Sequence, residues 1–187
     1  MNAEIAFRKL LSMEFSTVVD VGSGAGEHAR AMREAGKQVT TIAYTGEADI
    51  IGDYCETDVG QFDAIWASHV LEHQPDPGKF LRKCYADLND NGILAVTVPP
   101  MKPEIVGGHL TLWNAGLLLY SLILAGFDCS QAMAKTYGYN VSVIVRKRPA
   151  DLPDLHMDRG DIERLAHLFP MPVKQGFNGN IASINWS

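Results

Sequence analysis

Cysteine is scarce in this chain of 187 residues. The three present, Cys55, Cys84 and Cys129, are widely spaced and form no CxxC pair. An odd number at such spacing makes neither a disulfide framework nor a zinc ribbon, so a reducing, cytoplasmic setting is expected. Positive charge is also in short supply: 16 Lys plus Arg against 22 Asp plus Glu leave a net charge of −6. That balance argues against a broad nucleic-acid or anionic-membrane surface. The opening MNAEIAFRKLLSMEF carries charges inside its apolar pattern, which is not how a signal peptide reads. The most apolar run, Leu110 to Phe127, is interrupted by Asn114, by small Gly and Ser residues and by Gly126. It reads as a buried helix, not a membrane span. No repeat or low-complexity tract is visible. With 47% apolar and 20% charged residues the chain is not disordered, and its length suits one domain with a substantial core.

What is present is an alternation. Apolar residues at helical spacing (Ile5, Phe7, Leu10, Leu11) predict a helix over 4–15. Strands are predicted at 16–22, 38–44, 48–51, 62–67 and 92–98, each short, apolar or β-branched, and bounded by turn residues. Helices are predicted at 27–35, stopped by Gly36, at 77–88, with Pro in its first turn, and at 114–124, with Asn114 as N-cap. Two more strands, near 127–136 and 140–147, flank the turn Tyr137-Gly138-Tyr139-Asn140 and suggest an antiparallel hairpin. The expected fold is α/β: a doubly wound sheet of seven strands, mostly parallel, with an antiparallel edge hairpin and helices on both faces. Residues 1–148 form the main unit. From Pro149 the character changes to a Pro- and Asp-bearing linker, a short amphipathic helix over 159–168, and an irregular end holding Phe169, Phe177 and Trp186. Residues 149–187 are therefore expected to pack as an arm on the domain or on a partner, for example a second copy in a homodimer.

In such a sheet the ligand crevice lies beyond the carboxyl ends of the strands. Glycines stand there, in Asp20-Val-Gly22-Ser-Gly24-Ala-Gly26. Gly22 and Gly24 permit a tight turn and close backbone approach to a ligand. The spacing is neither the GxGxxG of dinucleotide-binding enzymes nor a GxxxxGK phosphate loop. It resembles the first motif, [D/E]xGxGxG, of class I S-adenosylmethionine-dependent methyltransferases. Further pieces match that family in order. Gly52-Asp53-Tyr54 is similar to its adenine-side acidic motif, and Phe62 to Pro77 (FDAIWASHVLEHQPDP) to its FDxVxxxxVLEHxxDP segment. Leu88 to Pro100 resembles its strand-five motif, and Gly108-His-Leu-Thr-Leu-Trp113 with Ala125-Gly-Phe127 its GHxxxW and AGF pieces. The resemblance covers about residues 14 to 148.

The resemblance implies roles. Asp20, Gly22, Ser23 and Gly24 would surround the methionine part of S-adenosylmethionine, approached also by Ser68 and His69. Asp53 would accept from the adenine amino group, with Tyr54 beside the base. The alternative reading of Asp53 is a turn residue after glycine. The family usually ends strand two with an acid that grips the ribose hydroxyls. That place is Ala43, followed by Tyr44, and neither offers a carboxylate. Glu47 is the nearest acid able to reach in from the loop. Loss of a charge-assisted contact of this kind costs roughly 1.5–3 kcal/mol, so weaker cofactor binding is expected.

His69, Glu72 and His73 fall at i, i+3 and i+4, which on a helix would align them. The pattern resembles HxxEH, and also the ExxEH of metal-dependent ubiquinone-biosynthesis and small-RNA-end methyltransferases, with His109 as a fourth ligand. Pro75 and Pro77 argue against a helix there, and a loop would scatter the ligands, so no metal is expected. His69 and His109, on loops at the cofactor end of the sheet, are the candidate catalytic bases. His109, Trp113 and Tyr137 are candidate substrate contacts, the two aromatics being equally plausible as core. There is no Asn-Pro-Pro-Tyr element and no basic recognition domain, so a small metabolite or saccharide is favoured over DNA or RNA as the acceptor of an O- or N-methylation. The competing reading is a catalytically weak methyltransferase-fold protein that binds or assembles.

Overall fold

The computed structural model describes residues 3–186; Met1, Asn2 and Ser187, the extreme ends of the two expected units, lie outside the described residues. The chain runs α1 (Glu4–Leu11), β1 (Thr17–Val21), α2 (Glu27–Glu34), β2 (Gln38–Ala43), β3 (Ile50–Ile51), β4 (Phe62–Ser68), α3 (Pro77–Asp87), β5 (Leu88–Val98) and α4 (Ala115–Leu124). It continues through β6 (Met133–Tyr137), β7 (Asn140–Arg146), α5 (Asp161–Arg164) and β8 (Ser183–Ile184). The strand order is β3-β2-β1-β4-β5-β7-β6-β8. β1 to β5 pair in parallel; β7 enters antiparallel to β5, and β6 and β8 follow antiparallel.

The sheet thus has eight strands, not the seven expected from sequence. The eighth is two residues from the C-terminal segment, too short to show an alternating pattern, laid on the outer edge of β6. It covers backbone groups that an open edge would leave exposed. Two further expectations are corrected. The strand placed at 127–136 begins only at Met133, because Asp128 Oδ1 accepts from the Ser130 amide and folds the preceding residues into a turn. The helix placed at 159–168 shrinks to α5 and a 3-10 turn at Ala166–Leu168.

Strand alternation divides the core in two, as the period of two requires. Val18, Ala64, Trp66, Ile93 and Ala95 face Phe7 and Leu10 of α1 and Met32 of α2. Val19, Ile65, Leu94 and Val96 face Phe80 and Leu81 of α3 and Leu118, Leu119 and Leu122 of α4. Leu165, Leu168, Phe169 and Ile181 of the C-terminal segment join that second layer. The segment is held closely. Gly116 N–H donates to Gly179 O (2.8 Å), and Asn114 Nδ2 to Asn178 O (3.0 Å). A β-carbon on Gly116 would lie 2.4 Å from Gly179 Cα, so only glycine lets helix and arm approach this far.

Candidate active site

β1 ends at Val21, and the chain turns through Gly22, Gly24 and Gly26 with φ of 71°, 53° and 71°, a region glycine enters without steric cost. A β-carbon on Gly22 would fall 2.5 Å from Val70 Cγ2, which packs the loop onto the end of β4. A β-carbon on Gly24 would meet only Gly22 O, at 4.0 Å, so the space beside it is open. Beyond the ends of β1, β2 and β4 lies a cleft of about 290 Å³ lined by Gly22, Ala43, Tyr44, Tyr54, His69 and His73, among others.

Gly22, Ala43, Tyr44, Tyr54 and His69 are therefore brought together as read from sequence. Ser23 and Ser68 adjoin the lining residues Gly22 and His69; both hydroxyls are buried without a protein partner. Asp20 is different. By alternation it shares the face of Val18, beneath α2, and it is 2% exposed with Oδ2 unpartnered. Burial raises its pKa to about 7, opposed by Arg33 and the Ala29 amide. Asp53 uses Oδ1 to accept from the Cys55 amide (2.8 Å), capping the 3-10 turn at Tyr54–Glu56. Tyr54 is buried with its ring 5.4 Å from that of Phe80. The hydroxyl of Tyr44 is held above its ordinary pKa, first by partial burial and then by Asp53. Glu47, the acid that was to reach in, is exposed and absent from the cleft lining. The other nearby acid, Asp49, is occupied: its Oδ2 accepts from Thr41 N, Thr41 Oγ1 and Arg33 (all 2.8 Å).

After β4 the backbone turns sharply, with His69 at φ 56°, into a 3-10 turn at Leu71–His73. The premise that a loop would scatter the acidic and histidine side chains fails here. Glu72 is fully buried, and its Oε1 lies 3.2 Å from His69 Nδ1 and 3.8 Å from His73 Nε2. Ligand atoms of Glu72, His73 and His109 all fall within 4.8 Å of one another. His73 Nδ1 donates to Gly108 O (2.7 Å); a carbonyl only accepts, so in the neutral ring the lone pair is on Nε2, toward Glu72. His109 meets His73 edge-on, ring centroids 5.1 Å apart. His69 is held at both nitrogens, Nδ1 by Glu72 and Nε2 by Asn140 Oδ1 (2.9 Å). Glu72 above all raises its pKa, against the effect of burial. A ring donating from both nitrogens has no lone pair to take a proton, so His69 is built as a positioned donor more than as a base.

Beside this cleft, along the same sheet edge, opens a second and larger hollow of about 1060 Å³ between the loop after β5, the end of β6 and the C-terminal arm. Trp113 lines it while being 4% exposed, its Nε1 donating to Thr111 Oγ1 (2.8 Å). Tyr137 lines neither hollow. Its hydroxyl accepts from the Ala6 amide (3.1 Å) and pairs with Ser142 Oγ (3.0 Å), tying α1 to the sheet. Sequence reasoning overlooked its neighbours: Asn140 fixes His69, and Tyr139 stacks on it at 6.2 Å. The signal was in the topology. A strand antiparallel to β5 must start at the carboxyl edge, so the hairpin turn returns to the site.

The comparisons agree with this geometry. The family model described as a methyltransferase domain matches residues 4–141. A relative named ubiquinone biosynthesis O-methyltransferase, from Pseudomonas paraeruginosa, is 32% identical over 107 residues, 47% of this chain and 46% of that protein. The chain thus spans about half the length of the curated relatives it matches. A 1,6-didemethyltoxoflavin-N1-methyltransferase from Burkholderia thailandensis, solved with its acceptor and S-adenosylhomocysteine, shares the fold: TM-score 0.65, 18% identity, 80% of each chain. The [4+2]-cyclase SpnF is similar at TM-score 0.56 and 25% identity, over 67% of this chain and 58% of that one. On these matches, and on the glycine-turned cleft at the carboxyl ends of its strands, the chain belongs to the class I S-adenosylmethionine-dependent methyltransferase family.

Proposed function

We propose that the chain transfers a methyl group from S-adenosylmethionine to an oxygen or nitrogen of a small-molecule acceptor. The observation that carries this is the cleft at Gly22, with open space beside Gly24 and two buried, unpaired hydroxyls, Ser23 and Ser68, at its margin. Buried polar groups are normally satisfied, so orphans at a cleft fit a polar ligand. Gly22, Ser23, Gly24 and Ser68 would hold the methionine part of the cofactor; Ala43, Tyr44, Asp53 and Tyr54 would meet the ribose and base. When bound, the cofactor supplies an electrophilic methyl group on sulfur. The relatives named O-methyltransferases favour oxygen as the acceptor atom. His69, held by Glu72 and Asn140, would orient polar groups by donation, leaving His109 as the candidate base. The reading is tested by methyl transfer from labelled S-adenosylmethionine to a panel of phenols, amines and saccharides. Binding of S-adenosylhomocysteine with no transfer to any of them would favour the binding-protein alternative that the missing acid at Ala43 suggests.

A second reading rests on one observation, the convergence of Glu72, His73 and His109. A buried carboxylate and two imidazoles are a donor set for a divalent ion, and the His73–Gly108 hydrogen bond presents Nε2 in the form a metal needs. Glu72, His73 and His109 would hold the ion, which would supply charge to lower the pKa of an acceptor hydroxyl.

A further inference from the structure

We propose that the large groove beside the cofactor cleft takes an apolar small molecule bearing one negative charge, the charge meeting Lys102. The proposal rests on the transferase reading for its purpose, and names the acceptor class for that reaction.

The two hollows are neighbours on one sheet edge. The cleft lies at the ends of β1, β2 and β4, the groove at those of β5 and β6 and the start of β7. Their common wall is short: His69 lines the cleft, its partner Asn140 precedes Val141, and Val141 lines the groove. A molecule in the groove therefore sits next to the residue that borders the cofactor site.

The groove walls are Met101, Leu112, Trp113, Val141 and Ile181. Apart from Lys102 and the exposed Asn180, its polar side chains are committed elsewhere. Thr136 Oγ1 donates to Ile181 O (2.7 Å), and Asn114 uses Oδ1 for the Leu117 amide and Nδ2 for Asn178 O. A saccharide would bury hydroxyl groups here with few partners, at a desolvation cost for each. An apolar body meets no such cost, which narrows the earlier choice between metabolite and saccharide.

The charge follows from Lys102. It lies on the groove, 4.5 Å above the ring of Tyr139, and has no carboxylate partner among the described residues. In a chain with six more acids than bases, an uncompensated cation at a groove is a selective feature. Tyr139 also stacks on His69, so the anion would be anchored beside the wall shared with the cofactor cleft. The arm is part of the site: Ile181 forms one wall, and the Gly116–Gly179 contact fixes where it stands.

The test uses two fluorescent probes on the full chain, anionic 1-anilinonaphthalene-8-sulfonate and neutral N-phenyl-1-naphthylamine. Lys102→Ala should weaken the anionic probe by about tenfold, the scale of a lost charge-assisted contact, and leave the neutral one within about twofold. Leu112→Asp, at a half-exposed position that tolerates polarity, should weaken both; Met101→Asp repeats the test at a second lining position. Equal effects of Lys102→Ala on both probes, or none on either, would overturn the charge assignment. Unchanged binding in both aspartate variants would overturn the groove. S-adenosylhomocysteine titrated into the same proteins separates the two claims. Probe selectivity without its binding would leave the groove standing and remove the transferase reading; its binding with unselective probes would do the reverse.

Discussion

Glu72 Oε1 lies 3.2 Å from Nδ1 of His69, inside the protein, and this pairing decides what the imidazole can do. Asn140 Oδ1 takes the other nitrogen, so the ring is a donor on both sides. Removing the carboxylate charge in Glu72→Gln should lower the pKa of His69. Histidine ring NMR across a pH titration of chelator-treated protein reads this directly. An unchanged value would mean that Glu72 does not hold the proton in place.

The same carboxylate is shared with His73, and with His109 it completes a candidate ligand set. If the second reading holds, protein purified without a metal-chelating tag carries one divalent ion per chain, and His73→Ala loses it. Chelation should then abolish transfer while leaving S-adenosylhomocysteine binding in place. Metal-free protein with undiminished transfer would withdraw that reading and restore the expectation drawn from Pro75 and Pro77.

Asp20 predicts a pH effect on stability. Its carboxyl has a pKa of about 7 in the fold against 3.8 for the free group, so the native state holds the proton more tightly than the unfolded one. The penalty is absent below about 3.8, where both states are protonated, grows as pH rises from there to about 7, and levels off above it at an upper bound of roughly 4 kcal/mol. Asp20→Asn should therefore raise the melting temperature more at about pH 8 than at about pH 5. An equal shift at both would show that Asp20 is paired or hydrated in the folded protein.

Ala43 lines the cleft where the family places an acid, and Glu47 stands away from it. Ala43→Asp should tighten S-adenosylhomocysteine by one to two powers of ten, the value of a charge-assisted pair of hydrogen bonds. Equal or weaker affinity, measured by calorimetry, would displace the ribose from this position.

Much of this was legible in the residues. The period-two strands, Asn114 as a cap and the glycines after β1 announce a doubly wound sheet with a cleft, because each rests on local chemistry. Gly22, Ala43, Tyr44, Tyr54 and His69 follow from where the strands end. The rest depends on distance in sequence. Tyr137 and Tyr139 sit two apart in one hairpin, yet one supports α1 and the other covers His69; Tyr137 ends β6 while Tyr139 lies in the turn after Gly138 (φ 50°), and the turn, which no strand period describes, separates them. Glu72 and His109 meet because the loop after β5 folds back, with Leu110 N–H donating to Glu72 O (2.8 Å). The arm's place depends on a glycine contact between residues 116 and 179, and no local pattern signals it.

The central claim is that the Gly22–Gly26 turn holds S-adenosylmethionine. Calorimetric titration of S-adenosylhomocysteine into the wild-type chain and into Gly24→Val tests it most directly. A valine there would fill the open space beside Gly24 and resist its φ of 53°. One site per wild-type chain, lost in a variant whose circular dichroism is unchanged, is the predicted result. Undiminished affinity in the folded variant, or no binding to the wild type, would contradict it.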